Sequence, residues 1–301
     1  MKKIIILLSV LCIVALLLII HLLEKAPTST PTFQSSTITS TWLWDTSEIV
    51  SKPDSVIKQL VDNNVKVLFL QVNNTLNIKS YRSFISKATT NKISVYALDG
   101  SPDWVSENGL PLQDAYISWL IKYQNEAVAN EKFKGIHLDV EPYENENDQY
   151  DKNNLERYQT FIIKFKNLAI DLNLEYGIDI PFWFNEVGYN TKYGQGNVAE
   201  WLCKNVKYIT IMAYRDSASG ANGIIEISAT EMELFRQYNV TGNIAVETGK
   251  LDEANIYVTF YEETQSYMYQ QLDLVYHSYK NNPAFNGIAI HYFDSWMSMA
   301  K

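Results

Sequence analysis

The 301-residue sequence has few cysteines and few histidines. Cys12 lies in an N-terminal apolar run, so the only cysteine in the rest of the chain is Cys203, which argues against a small disulfide-stapled module. The four histidines form no His-x-His or Glu-x-x-His pattern, which argues against a zinc hydrolase. Convergence of His137, Asp139 and His291 on a metal is a less favoured alternative. We therefore predict neither a metal site nor a cofactor.

Positive charge is also scarce. Lysine and arginine total 25 against 34 acidic residues, a net charge of −9, which argues against nucleic acid as a partner. Hydrophobic residues make up 47% of the chain, enough for a sizeable core. About 260 residues follow the N-terminal segment, a length typical of one (β/α)8 barrel domain.

The N-terminal 25 residues are predicted to be a membrane anchor. Lys2 and Lys3 precede a largely apolar run over residues 4–20, which is long enough to span a bilayer, and no small-x-small cleavage site follows it. We expect a single-pass protein of the cell membrane with its body outside the cytoplasm. A cleaved signal peptide, giving a secreted protein, is the alternative.

Residues 26–40 are rich in Pro, Ser and Thr and lack an amphipathic period, so they are predicted to form a linker. From residue 41 to residue 301, β-rich segments alternate with helical ones. The predicted strands are Trp42–Asp45, Val65–Val72, Ile93–Leu98, Gly135–Glu141, Leu174–Ile180, Tyr208–Tyr214, Asn243–Glu247 and Gly287–Phe293. The predicted helices are Pro53–Asn63, Ile78–Thr89, Leu112–Ala129, Leu155–Leu172, Val198–Cys203, Ala229–Tyr238 and Glu262–Tyr279. This α/β pattern predicts a (β/α)8 TIM barrel with its last helix short or absent.

The segment from Gly135 to Pro142 carries the clearest sign of chemistry. Ile136, Leu138 and Val140 alternate there with His137, Asp139 and Glu141, which gives a strand one apolar and one ionisable face. Carboxylates on a buried strand are costly unless they react or bind something. His137 lies deepest, so a buried histidine inside the barrel is the favoured interpretation for it.

The ends of the other predicted strands also carry polar or aromatic residues. In TIM barrels the catalytic groups lie at the C-terminal ends of the strands, and aromatic rings can stack on sugars there, although many such rings only pack. The candidate substrate-binding residues are Asp45, Trp44, Asp179, Trp183, Arg215, His291 and Trp296.

Two motifs resemble those of the chitinase-like glycoside hydrolase barrels. That family carries Asp-x-x-Asp-x-Asp-x-Glu on its fourth strand, where this chain has Lys134-Gly-Ile-His-Leu-Asp-Val-Glu141. It carries Met-x-Tyr on its sixth, where this chain has Met212-Ala-Tyr214. The resemblance implies that Glu141 protonates the glycosidic oxygen, Asp139 orients a substrate acetamido group that attacks the anomeric carbon, and Tyr214 assists. Lys134 and His137 replace two of the family's aspartates, and Arg215 stands where an aspartate is usual.

A second interpretation uses another carboxylate pair. Many retaining glycosidases place an acid/base Glu before Pro on the fourth strand and a nucleophilic Glu on the seventh, and Glu141-Pro142 and Glu247 occupy those places here. Val140 stands where those enzymes usually carry Asn. Glu247 could equally bind a substrate hydroxyl or pair with Arg215.

We therefore expect a glycoside hydrolase-like enzyme that cleaves a cell-surface or extracellular polysaccharide, with Glu141 as general acid. The acidic loop of residues 143–151 is predicted to be a solvated rim; if it contacts substrate, its charge would favour cationic amino sugars, such as partly de-N-acetylated polysaccharide. A non-catalytic glycan-binding barrel is the rival hypothesis. Hydrolysis of an amide or phosphodiester bond is a third, because fold alone does not fix chemistry.

Overall fold

A computed structural model describes residues 37–106, 108–144 and 152–301. The predicted anchor (residues 1–25), most of the predicted linker and most of the acidic loop lie outside these residues. In the described part of the chain, no helix combines the length and apolar character needed to cross a membrane.

Eight parallel strands close into a barrel, which confirms the predicted TIM-barrel fold. They are β1 Ile38–Leu43, β2 Val67–Gln71, β3 Ser94–Asp99, β4 Gly135–Leu138, β5 Glu175–Pro181, β8 Tyr208–Met212, β9 Thr241–Glu247 and β10 Phe285–His291. Each barrel strand pairs with the next barrel strand along the chain, β5 with β8, and β10 pairs with β1 to close the ring. A two-stranded antiparallel hairpin, β6 Gly188–Thr191 and β7 Gly194–Asn197, follows β5 and was not predicted.

Helices follow the strands as expected. They are α1 Glu48–Ser51, α2 Pro53–Asp62, α3 Ile78–Thr90, α4 Leu110–Glu126, α5 Lys152–Leu172, α6 Val198–Asn205, α7 Ile224–Ile227, α8 Ala229–Tyr238, α9 Gln265–Tyr279 and α10 Phe293–Ser298. The last helix, α10, is short, as predicted. It packs on β1 and β10 and buries Phe293 and Trp296, so it covers the side of the barrel that a full eighth helix would cover.

The first strand begins earlier than predicted: β1 starts at Ile38, inside the predicted linker. The polar residues Thr37 and Ser40 suggested an exposed tether, yet both are buried. The Thr41 hydroxyl donates to the Ile290 carbonyl at 2.7 Å, so its polarity is satisfied inside the sheet. The prediction failed because a buried hydroxyl looks the same in sequence as an exposed one.

Inside the barrel, large rings pack against small side chains. This interior cluster consists of Trp42, Phe69, Tyr96, Leu98, Ala245 and Ala289. His137 is also buried, as expected, and its ring stacks on Phe69 with 3.6 Å between the centroids. The cluster fills the barrel below its C-terminal mouth and supports the polar residues above it.

Candidate active site

Carboxylates from three strands meet at the C-terminal mouth of the barrel. Asp139 and Glu141 follow β4, Asp179 lies in β5 and Glu247 ends β9. These groups are close enough that the charges of Asp179, Glu141 and Glu247 each raise the pKa of Asp139. The structure therefore brings the predicted acids into one cluster. Strand β4 itself ends at Leu138, earlier than predicted, although the Asp139 amide still donates to the Asp99 carbonyl at 3.2 Å.

Asp139 is an acid whose surroundings disfavour its charged form. Burial and the neighbouring carboxylates raise its pKa well above the ordinary value for aspartate. Its Oδ1 atom is enclosed and has no hydrogen-bond partner among the described residues. A buried acceptor without a donor destabilises the fold unless a ligand supplies the donor.

Gly100 fixes the backbone beneath Asp139. A Cβ atom at Gly100 would lie 1.8 Å from the Asp139 carbonyl oxygen, a backbone atom that cannot swing aside. We expect Gly100→Ala to cost about 1–3 kcal/mol of the free energy of unfolding, because backbone must shift to admit the methyl group. Gly188→Ala is the matched control, since its Cβ would meet only the Gly196 carbonyl oxygen, at 3.7 Å. Thermal unfolding of both variants checks this, and equal melting temperatures would contradict it.

Glu141 is poised to exchange a proton near neutral pH. Burial raises its pKa to about 7, with further contributions from Glu144 and Asp179. The Tyr143 hydroxyl donates to Glu141 Oε2, and this hydrogen bond opposes the rise because it stabilises the carboxylate. A carboxylic acid with a pKa near 7 can donate a proton in the physiological range.

Tyr143 belongs to the site, although the sequence suggested only a solvated rim for its loop. Its ring packs edge-to-face on Trp183 at 4.7 Å, so the predicted substrate-binding Trp183 lies beside the acid. The segment Pro142–Glu144 forms a 3-10 turn, which directs Tyr143 back toward Glu141. The only sequence signal for Tyr143 was its position directly after Glu141-Pro142.

Asp179 braces the interior and is not free to react. Its Oδ2 accepts the Trp42 indole N–H at 3.1 Å, and its Oδ1 pairs with His137 Nε2 at 2.8 Å. Asp179 itself is 3% exposed. Both oxygens therefore serve neighbouring side chains, and the charge of Asp179 acts on the site by raising the pKa of Asp139 and of Glu141.

Glu247 and His291 face each other in the registered strands β9 and β10. His291 Nδ1 lies 2.6 Å from Glu247 Oε2, and His291 Nε2 accepts the Trp44 indole N–H at 2.9 Å. The other oxygen of Glu247 accepts the backbone N–H groups of Thr248 and Gly249. Glu247 does not pair with Arg215, which was one of its three predicted roles.

Tyr214 and Arg215 follow β8. The Tyr214 ring stacks on His291 at 5.9 Å, and burial raises the pKa of its hydroxyl well above the ordinary value. The Arg215 guanidinium donates to the Tyr214 carbonyl at 2.6 Å and lies over the rings of Phe182 and Tyr257. Tyr214 thus lies among the carboxylates, while the Arg215 guanidinium is engaged by the Tyr214 carbonyl, Asn222 and two aromatic rings.

Two predicted substrate-binding residues lie outside the cluster. Asp45 is exposed, and its Oδ1 accepts the amide and hydroxyl of Ser47 in a local turn. Trp296 is 0% exposed and donates to the Tyr269 hydroxyl at 3.3 Å, so its ring has no free face for a sugar. The interpretation of Trp296 as a sugar contact was wrong because α10 turns this side chain into the core.

No group of three or more His, Cys, Asp or Glu side chains in the described ranges is arranged to hold a metal ion. In the described cluster, Glu141 has a pKa of about 7 and Asp139 Oδ1 is an acceptor without a donor. Trp44 and Trp183 add aromatic surface at the same mouth.

Comparison with solved structures identifies the same fold in carbohydrate-processing proteins. A chitinase from Chromobacterium violaceum ATCC 12472 is 11% identical, with a TM-score of 0.53 over 88% of this chain and 95% of the chitinase. The spore cortex-lytic enzyme SleL of Bacillus megaterium QM B1551 is 12% identical, with a TM-score of 0.52 over 86% of this chain and 72% of SleL. No model of a known protein family matches the sequence, and no curated protein does. The resemblance to chitinase-like barrels is confirmed as a divergent one, at the level of the fold.

Proposed function

We propose that this protein is a glycoside hydrolase that cleaves an amino-sugar glycan, with Glu141 as the general acid. The observation that carries the proposal is the pairing of Glu141, whose pKa is about 7, with the neighbouring Asp139, whose Oδ1 lacks a donor. A protonated carboxylic acid next to an unused acceptor suits protonation of a leaving oxygen beside a substrate N–H. The chitinase and the cortex-lytic enzyme that share the fold support the same class of reaction.

In this mechanism Glu141 donates its proton to the glycosidic oxygen as the bond to the anomeric carbon breaks. Asp139 Oδ1 accepts the N–H of the 2-acetamido group and turns the acetamido oxygen toward that carbon, where it forms the new bond. Water later opens this cyclic intermediate, with Glu141 taking back a proton. The Tyr214 hydroxyl, which burial keeps protonated, is a donor for the acetamido oxygen.

The contacts of Glu247 argue against the competing mechanism in which it is the nucleophile. Oε1 already accepts two backbone N–H groups, and Oε2 is engaged by His291. A nucleophilic carboxylate needs one oxygen free to approach the anomeric carbon. Glu247 would have to break one of these contacts to do so.

The rate of cleavage is expected to fall as pH rises through about 7, because Glu141 must be protonated to act and its pKa is about 7. Tyr143→Phe removes a hydrogen bond that lowers this pKa. The alkaline limb of the kcat/KM profile should therefore move to higher pH, and the variant should keep several-fold more of its maximal rate at about pH 8. An alkaline limb that stays in place, or moves down, would show that Glu141 is not the titrating acid.

We further propose that residues 1–25 anchor the enzyme in the cell membrane and that its substrate lies outside the cytoplasm. The apolar run of residues 4–20 supports this, and secretion after cleavage is the alternative. Immunoblotting of membrane and soluble fractions, with the size of the mature chain, distinguishes the two outcomes.

Dependence on the acetamido group is the most specific test of the mechanism. We expect the full-length protein to cleave N-acetylated oligosaccharides of glucosamine or galactosamine and to leave the matched de-N-acetylated oligosaccharides intact. Equal rates on both members of a pair would exclude participation of the substrate. Cleavage of only the de-N-acetylated member would indicate that Asp139 binds a cationic amine of the substrate instead.

A further inference from the structure

Glu247, His291 and Trp44 form a hydrogen-bonded chain at the mouth of the barrel. We propose that Glu247 is a positioning residue that fixes the tautomer of His291 and, through it, the orientation of the Trp44 ring. The inference rests on the proposed function in one respect only, since Trp44 is taken as a wall of the glycan site. The hydrogen-bond chain itself does not depend on any activity.

The donors and acceptors of this hydrogen-bonded chain allow only one placement of the hydrogens. The Trp44 indole N–H can only donate, so His291 Nε2, at 2.9 Å, must be its acceptor and carries no hydrogen. The neutral ring then carries its hydrogen on Nδ1, which donates to Glu247 Oε2 at 2.6 Å. A carboxylate at position 247 therefore selects the tautomer that can hold Trp44.

Glu247 is itself held rigidly enough to impose that choice. The Thr248 amide donates to its Oε1 at 2.8 Å, and the Gly249 amide donates to the same oxygen. A Cβ atom at Gly249 would lie 2.9 Å from this oxygen and 3.0 Å from the Tyr292 ring, so a larger residue there would push against the Glu247 carboxylate and the Tyr292 ring. Backbone groups thus orient the carboxylate without any contribution from a substrate.

Glu247→Gln is expected to reverse the direction of the hydrogen bonds from residue 247 through His291 to Trp44, while the side-chain volume stays nearly constant. The two backbone N–H groups require the amide oxygen of Gln on their side, which leaves the amide NH2 facing His291 Nδ1. His291 Nδ1 must then accept a hydrogen bond, so the imidazole hydrogen moves to Nε2. The Nε2–H group would then point at the Trp44 indole N–H. Two donors cannot share one contact, so Trp44 loses its fixed orientation.

The tautomer can be measured directly by 15N NMR of the full-length protein labelled only in histidine. The chain has four histidines, and His291→Phe assigns the signal of interest. We expect wild-type His291 to carry its hydrogen on Nδ1 and the Glu247→Gln variant to carry it on Nε2. Glu253→Gln, at an exposed position on the loop after β9, is the control and should leave the signal unchanged. An unchanged tautomer in Glu247→Gln would overturn the inference, whether or not the protein cleaves glycans.

Glycan binding supplies the second readout. Glu247→Gln should weaken binding about tenfold, the usual size of one lost orienting contact, and should raise KM more than it lowers kcat. In a Trp44→Phe background, which has no indole N–H, the same substitution should change binding less than twofold. Equal losses in both backgrounds would show that Glu247 does not act through Trp44. Loss of nearly all activity, restored by azide or formate, would instead identify Glu247 as a nucleophile.

Discussion

Replacing Glu141 with Gln is expected to lower the rate of glycan cleavage about a thousandfold while leaving glycan affinity within about threefold of wild type. Gln keeps the volume and the acceptor for the Tyr143 hydroxyl but has no acidic proton to donate. The residual rate should also no longer fall as pH rises through about 7, because the titrating group is gone.

Glu144→Gln is the matched control for that variant. Glu144 is exposed, lies three residues further along the same segment, and acts on Glu141 only by raising its pKa. We expect nearly full activity, with the alkaline limb moved slightly to lower pH. Activity of Glu141→Gln comparable with that of this control would remove Glu141 from the mechanism.

Replacing Asp139 with Asn is expected to stabilise the protein and to impair it as an enzyme. Burial and the neighbouring carboxylates raise the pKa of Asp139 well above its ordinary value, so ionising this group at neutral pH costs more free energy in the native state than in the unfolded chain. The stability linked to this group is therefore complete below its unfolded pKa and is lost as pH rises toward the folded one. Asn carries no charge and avoids this cost of ionisation. We therefore expect the free energy of unfolding to rise by about 1–2 kcal/mol at neutral pH, or the melting temperature by roughly 3–6 °C.

The same substitution should lower cleavage at least about a hundredfold, because a neutral amide orients the acetamido group less well. The gain in melting temperature should shrink as the pH is lowered below about 4, where the unfolded aspartate is also protonated. Asp171→Asn, at an exposed position in α5, is the control and should change neither property. A lower melting temperature for Asp139→Asn at neutral pH would contradict the account of this residue.

The sequence was sufficient to predict the fold because parallel barrel strands are buried on both faces and end at polar residues. The Thr241–Glu247 strand ends at a polar residue, the buried Gly135–Leu138 strand is followed directly by Asp139, and helix α8 has the predicted bounds. The hairpin β6–β7 was missed because Gly188, Gly194 and Gly196 give it little strand propensity. It is held by its own turn and by packing, which a single sequence does not display.

The candidate site was only partly predictable. Asp139, Glu141 and Tyr214 could be named because strand ends converge in this fold, and the structure places them together. The role of Glu247 could not be chosen in advance, since it depends on contacts with His291 across strands and with the backbone just after it. Trp296 was misassigned for the same reason, because the direction of a short helix decides whether a ring lines the mouth or fills the core.

Release of reducing ends by the full-length protein at about pH 6 tests the central claim most directly. The panel is chitin, chitosan, peptidoglycan and galactosaminoglycan polymers. The account predicts release from an N-acetylated member of this panel and none from the same polymer with Glu141→Gln. No release from any polymer, with wild type and variant binding one of them equally well, would contradict the account and identify a glycan-binding barrel.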